Sequence, residues 1–102
     1  MNSTLLIQIT TLELCEQINE TTDTVIEIVE HGILDVQGEA PDEWLFDESA
    51  VEIAQRAIRM RRDLEINWAG IALTLDLLKE KQRIQAENLR LKQRLSRFII
   101  DD

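Results

Sequence analysis

Thr10–Val36, TTLELCEQINETTDTVIEIVEHGILDV, decides how the rest of the chain is read. Thr10 followed three residues later by Glu13 is a capping-box pattern, in which the threonine oxygen and the glutamate each satisfy a backbone N–H that has no helical partner. A helix is therefore expected to start here. Leu14, Cys15 and Ile18 fall on one inward stripe, and Glu13, Glu16, Gln17 and Glu20 face outward. Asn19-Glu20-Thr21 supplies a break, since Asn tolerates the left-handed backbone of a tight turn and Thr21 is a good cap for a second helix. That helix runs to about His31, with Val25, Ile28 and Val29 inward, and Gly32 stops it. Two short helices across a tight turn form a helix-turn-helix. In a DNA-reading version the outer face of the second helix carries groups that meet phosphates and base edges. Here that face offers Asp23, Glu27 and Glu30, and the stretch has no Lys or Arg.

The absence extends well beyond the motif. From Met1 to Gln55 there are thirteen Asp and Glu and no Lys or Arg, a charge of −13. Arg56 to Asp102 holds eleven basic and seven acidic residues, a charge of +4, and the two parts account for the net −9. A field polarised in this way steers basic partners and repels nucleic acid and anionic membrane. An acidic surface that serves only solubility is the alternative.

Upstream of the motif, Thr4–Ile9 alternates as a half-buried strand does. Ile33–Val36 and Trp44-Leu45-Phe46 are a second and third candidate strand, separated by QGEAPDE, where Gly38 and Pro41 punctuate a loop. Three short strands beside a helix-turn-helix make a winged arrangement. Its wing carries Glu39, Asp42 and Glu43 where a DNA-binding wing carries cations. Trp44 and Phe46 are candidates for an exposed partner anchor, or else both pack the small sheet.

Asp47 is expected to cap a third helix with Ala50, Ile53, Ala54, Ala57, Ile58 and Leu64 inward. Arg56, Arg59, Arg61 and Arg62 occupy its outer face, where they can pair with the acidic first half or solvate the helix, a phosphate-bearing ligand being the alternative. Asn67 caps a fourth helix that meets no breaker before the end of the sequence. Along it Leu77, Ile84, Leu91 and Phe98 recur every seven residues at d, and Thr74, Lys81, Asn88 and Leu95 at a. A lone helix of this length is marginal in water, so a second copy of the chain is the simplest cover. Asn88 at a would set its register, and Glu87 at g would pair with Lys92 at e across a parallel dimer; Leu78 and Leu89 lie off this seam, and an antiparallel or intramolecular arrangement is the alternative. Leu77, Ile84, Asn88, Leu91, Leu95 and Phe98 are the dimerisation residues expected on this reading. The expected division is 1–66, a winged helix-turn-helix domain with its third helix, and 67–102, the long helix.

Chemistry is poorly represented. Cys15 is single and lies on an inward stripe, so it reads as a small buried hydrophobe in a reducing cytoplasm. His31 has no second His or thiol cluster beside it, there is no Gly-rich phosphate loop, and no metal or cofactor is expected. No leader and no apolar run long enough to span a membrane is evident. A non-enzymatic cytoplasmic binding protein is the expectation.

The order of strand, helix-turn-helix, acidic wing, then WLFDESAVEIAQRAIRMRRDLEINWAGIALTLDLL and LKQRLSRF resembles the CbpM family of chaperone modulators, themselves similar to MerR-type winged domains. The resemblance covers nearly the whole chain. It is strongest at Glu27–Val29, Phe46-Asp47, Arg56-Ala57, Trp68–Ala72 and Asn88–Phe98. Asn19-Glu20 departs from it, standing where the family usually has a glycine and an aliphatic. The resemblance implies a mainly α, MerR-like winged helix-turn-helix fold with a small antiparallel sheet and a long C-terminal helix. It further implies binding to the J-domain of a DnaJ-like co-chaperone, CbpA, and a block on its stimulation of DnaK. J-domains present a basic helix to DnaK, which an acidic surface would occupy. The expected partner-binding residues are Glu16, Glu20, Asp23, Glu27, Glu30, Trp44 and Phe46. A MerR-like DNA-binding regulator is the competing class, and the chain lacks the basic second helix and wing that such a regulator needs.

Overall fold

The computed structural model describes residues 7–100. Strand β1 (Gln8–Thr10) leads into α1 (Thr11–Ile18) and α2 (Thr22–Glu30). A 3-10 turn (Pro41–Glu43), β2 (Leu45–Asp47), α3 (Ser49–Leu64) and α4 (Trp68–Ile100) come next. The chain divides into two compact units, Met1–Ala72 and Leu73–Asp102, with the boundary inside α4.

The helix-turn-helix is defined by its caps. Thr10 Oγ1 accepts from the Glu13 N–H at 3.2 Å and Glu13 Oε1 accepts from the Thr10 N–H at 2.8 Å, closing the capping box. Asn19 ends α1 at φ 58°, ψ 49°, which lets the Glu20 N–H reach the Cys15 carbonyl at 3.0 Å. Thr21 then caps α2, its Oγ1 accepting from the Thr24 N–H at 3.2 Å. At the far end Gly32 takes φ 76°, and the Ile33 and Gly32 N–H groups return to Ile28 and Val29 carbonyls at 3.1 and 2.9 Å. That pair of bonds is a Schellman closure, and it brings the chain back under the helices.

The closure explains why Ile33–Val36 is not a strand. Ile33 and Leu34 are both buried, although neighbours along a strand point to opposite faces. Just beyond the segment, Gln37 makes an isolated bridge with Leu45, at 3.2 and 2.9 Å. Among the described residues the sheet therefore has two antiparallel strands in place of three, with Gln8 opposite Asp47, Ile9 opposite Phe46 and Thr10 opposite Leu45. The Thr4–Leu6 part of the expected first strand lies outside the described residues.

The core of the first unit gathers Leu14, Val25, Ile28, Phe46 and Ile71, all fully buried. α3 presents Ala50, Ala54 and Ala57 to it and packs on α1, the small side chains permitting close approach of the two backbones. Leu64, expected inward, is 56% exposed, because α3 ends there and the chain turns through a left-handed Glu65 at φ 55°. Asp47 acts one position earlier than a helix cap. Its Oδ1 accepts from the Ser49 N–H at 2.9 Å and from the Ser49 hydroxyl, and Glu48 is the capping residue without a side-chain bond. At α4, Asn67 Oδ1 accepts from the Gly70 N–H at 2.8 Å, the cap its sequence position suggests.

The wing loop is held at two points. Thr11, the one buried polar side chain among the described residues, donates from Oγ1 to the Pro41 carbonyl at 2.6 Å. Gly38 sits at φ 110°, and a Cβ there would lie 2.6 Å from the Glu43 carbonyl oxygen, so only glycine fits. In the second unit Leu77, Ile84, Leu91 and Leu95 are exposed, and Phe98 is 76% exposed. Asn88 is exposed as well. Glu80 and Glu87 form ion pairs with Arg83 and Arg90 one turn on in the same helix.

Candidate functional site

The outer face of α2 is the site the sequence singles out. Asp23, Glu27 and Glu30 stand four and three residues apart, one stripe of an α-helix opposite the buried Val25 and Ile28. All three are exposed, and so is Glu16 on α1. Glu20, just beyond the left-handed Asn19, is half-buried. At the end of α2 His31 Nδ1 lies 2.8 Å from the Glu27 carbonyl, a local contact at the helix terminus. Among the described residues no group of three His, Cys, Asp or Glu is disposed to hold a metal ion.

Glu27 differs from its neighbours. Its Oε1 accepts from the indole N–H of Trp68 at 3.2 Å, a contact across 41 positions of sequence. Trp68 is 4% exposed, and the Arg61 guanidinium lies over its ring, 4.6 Å from the centroid. A carboxylate at the ring edge and a cation on its face match the quadrupole of an indole, so the three groups satisfy one another. Glu27 therefore belongs partly to the fold. Sequence reasoning missed this link, since nothing at either position announces the other.

The remaining carboxylates are not neutralised by the arginine helix. Among the described residues the ion pairs are Arg62–Asp63, Glu80–Arg83 and Glu87–Arg90, and none reaches into the first 55 residues. Of the two roles open to Arg56, Arg59, Arg61 and Arg62, pairing with the acidic half or solvating the helix, the second fits: all four are exposed, Arg62 pairs locally with Asp63 and Arg61 stacks on Trp68.

Of the two readings of Trp44 and Phe46, packing of the small sheet is the one the structure takes, so neither is an exposed partner anchor. Trp44 and Phe46 are both buried, packed edge to face with centroids 6.3 Å apart and planes at 84°. Trp44, on extended backbone just ahead of β2, and Phe46 within it are two residues apart and so point to the same side, which is the core. Leu12, in the first turn of α1 and off its inward stripe, is an exposed apolar side chain beside the acidic surface. Its angular position on α1, two residues ahead of the inward Leu14, is the signal that could have placed it outside.

Comparison with known proteins agrees with this architecture. The family model for MerR HTH family regulatory proteins matches residues 9–93. The chain is 48% identical over 99 residues to the chaperone modulatory protein CbpM of Pseudomonas putida strain KT2440, covering 97% of this chain and 98% of that protein. It is 49% identical over 98 residues to the protein of the same name from Pseudomonas putida strain W619, covering 96% and 97%. With that of Citrobacter koseri it shares 42% identity over 90 residues, covering 88% and 89%. On near-full-length similarity at this level, joined to a MerR-type helix-turn-helix with an acidic outer face, the chain belongs to the CbpM family of chaperone modulatory proteins.

Proposed function

We propose that this chain is a non-enzymatic chaperone modulator that binds the J-domain of a DnaJ-like co-chaperone, CbpA, through its acidic surface and so blocks stimulation of DnaK. The observation that carries the reading is the solvent-facing stripe of α2, where Asp23 and Glu30 flank a Glu27 already engaged by Trp68. A concave pocket with converging catalytic groups, the usual mark of an enzyme, is not what this convex helical face offers. The same stripe argues against a DNA-reading role. Set in a major groove it would bring three carboxylates against phosphates, with no cation on α2 to offset them.

Opposite fields accelerate encounter between such a face and a basic helix, and residence depends on a few buried contacts. The exposed apolar ladder Leu77, Ile84, Leu91 and Phe98 supports a further part of the proposal, that α4 pairs with α4 of a second copy. Asn88 would fix the register. In that dimer Lys92 would compete with Arg90 for Glu87, which the isolated helix already pairs with Arg90.

Titration calorimetry with the isolated J-domain tests the main claim. Saturable binding is expected, weakened strongly when Asp23 and Glu30 are both changed to Lys, with DnaK ATPase stimulation restored in step. Glu27 is left intact in this variant because its loss would disturb Trp68. An unchanged affinity in the double variant removes the acidic face from the account. Sedimentation of the parent and of Ile84→Asp/Leu91→Asp tests the dimer, which the paired substitution should abolish.

A further inference from the structure

Where the first turns of α1 and α2 meet the wing loop, Thr10, Thr11, Leu12, Thr22, Pro41 and Asp42 line an open groove of about 390 Å³. Leu12 is 74% exposed, although it sits beside a side chain, Thr11, that is buried. The floor is fixed, because Thr11 Oγ1 is bonded to the Pro41 carbonyl at 2.6 Å and both helix starts are capped by threonine. A preformed apolar surface of this kind loses little freedom when something docks on it.

The surroundings are acidic. Asp42 is part of the lining, Asp23 comes directly after Thr22 in the first turn of α2, and Glu16 stands one turn beyond Leu12 on α1. Glu13 and Asp23 also offset the positive ends of the two helix dipoles that converge here. No Lys or Arg lies within the first 55 residues to counter them. An occupant must therefore present an apolar side chain with cations around it.

We propose that this groove is the anchor point for the J-domain, receiving one aliphatic or aromatic side chain that is flanked by Lys or Arg on the J-domain's basic helix. The inference rests on the J-domain reading above and adds to it a site of contact that the carboxylates alone do not supply. In this arrangement the field sets the rate of encounter and Leu12 sets the rate of escape.

The test uses the full chain and the isolated recombinant J-domain as probe, with association and dissociation rates measured for the parent protein, Leu12→Ala, Leu12→Gln and Asp23→Lys. Both Leu12 variants should keep the parent's melting temperature, since the side chain is mostly in water. They should weaken binding by about tenfold or more through faster dissociation. Asp23→Lys should act chiefly by slowing association. A parent that binds while both Leu12 variants bind within about twofold of it overturns the groove and leaves the J-domain reading standing. A parent that does not bind the J-domain overturns both.

Discussion

The indole N–H of Trp68 donates to the Glu27 carboxylate at 3.2 Å, tying the start of α4 to the outer face of α2. Removing the acceptor leaves a buried donor without a partner, whereas removing the donor releases a carboxylate that water can solvate. Glu27→Ala should therefore cost about 1–3 kcal/mol in urea unfolding and Trp68→Phe about 1 kcal/mol. The double variant should cost no more than Glu27→Ala alone, because the pair is coupled and the stranded donor is gone. Additive losses would show that the bond contributes nothing.

Gly38→Ala should destabilise the protein by about 1–3 kcal/mol, since a left-handed backbone at φ 110° is strained for any L side chain. The clash is with backbone, the new Cβ meeting the Glu43 carbonyl oxygen at 2.6 Å, so it cannot be relieved by a rotamer change. Thermal melting tracked by circular dichroism measures it.

The two left-handed residues that are not glycine predict the opposite sign. Glu65, at φ 55°, has no short polar side chain to ease the conformation, and Glu65→Gly should stabilise by about 0.5–1 kcal/mol. Asn19→Gly, at φ 58°, should gain less, because Asn already tolerates this region. Melting temperatures of the two single variants give the ranking.

A pH dependence belongs to α4. The Arg83 hydrogen bond, and then its charge, hold the Glu80 carboxyl below its ordinary value of 4.5. A carboxylate with a lowered folded value stabilises the helix above the unfolded value and ceases to do so as pH falls through the lowered one. Helical signal in Glu80→Gln should thus fall below the parent at neutral pH and converge with it in acid. The gap should narrow in high salt, as both groups are exposed.

The helix-turn-helix was legible from local chemistry, because Thr10, Glu13, Asn19, Thr21 and Gly32 each act within five residues of where they stand. Asn67 and the long helix were legible for the same reason. The fate of Ile33–Val36, the second candidate strand, was not. Ile33 and Leu34 have side chains that suit a strand, but the turn at Gly32 commits both to the core, and no local pattern tells that from an alternating strand. Burial of both Trp44 and Phe46 depends on which face of β2 meets the helices, a tertiary choice. The acidic stripe was legible as a row of charges. That Glu27 is shared with Trp68 needed the three-dimensional arrangement, whereas the exposure of Leu12 was open to reading from its place on α1.

The salt dependence of J-domain association tests the central claim most directly. If the acidic face of α2 steers a cationic helix, the association rate of the parent protein should fall steeply with rising ionic strength, and the slope should flatten in Asp23→Lys/Glu30→Lys. An association rate that is indifferent to salt, or a slope unchanged by those two substitutions, would contradict it.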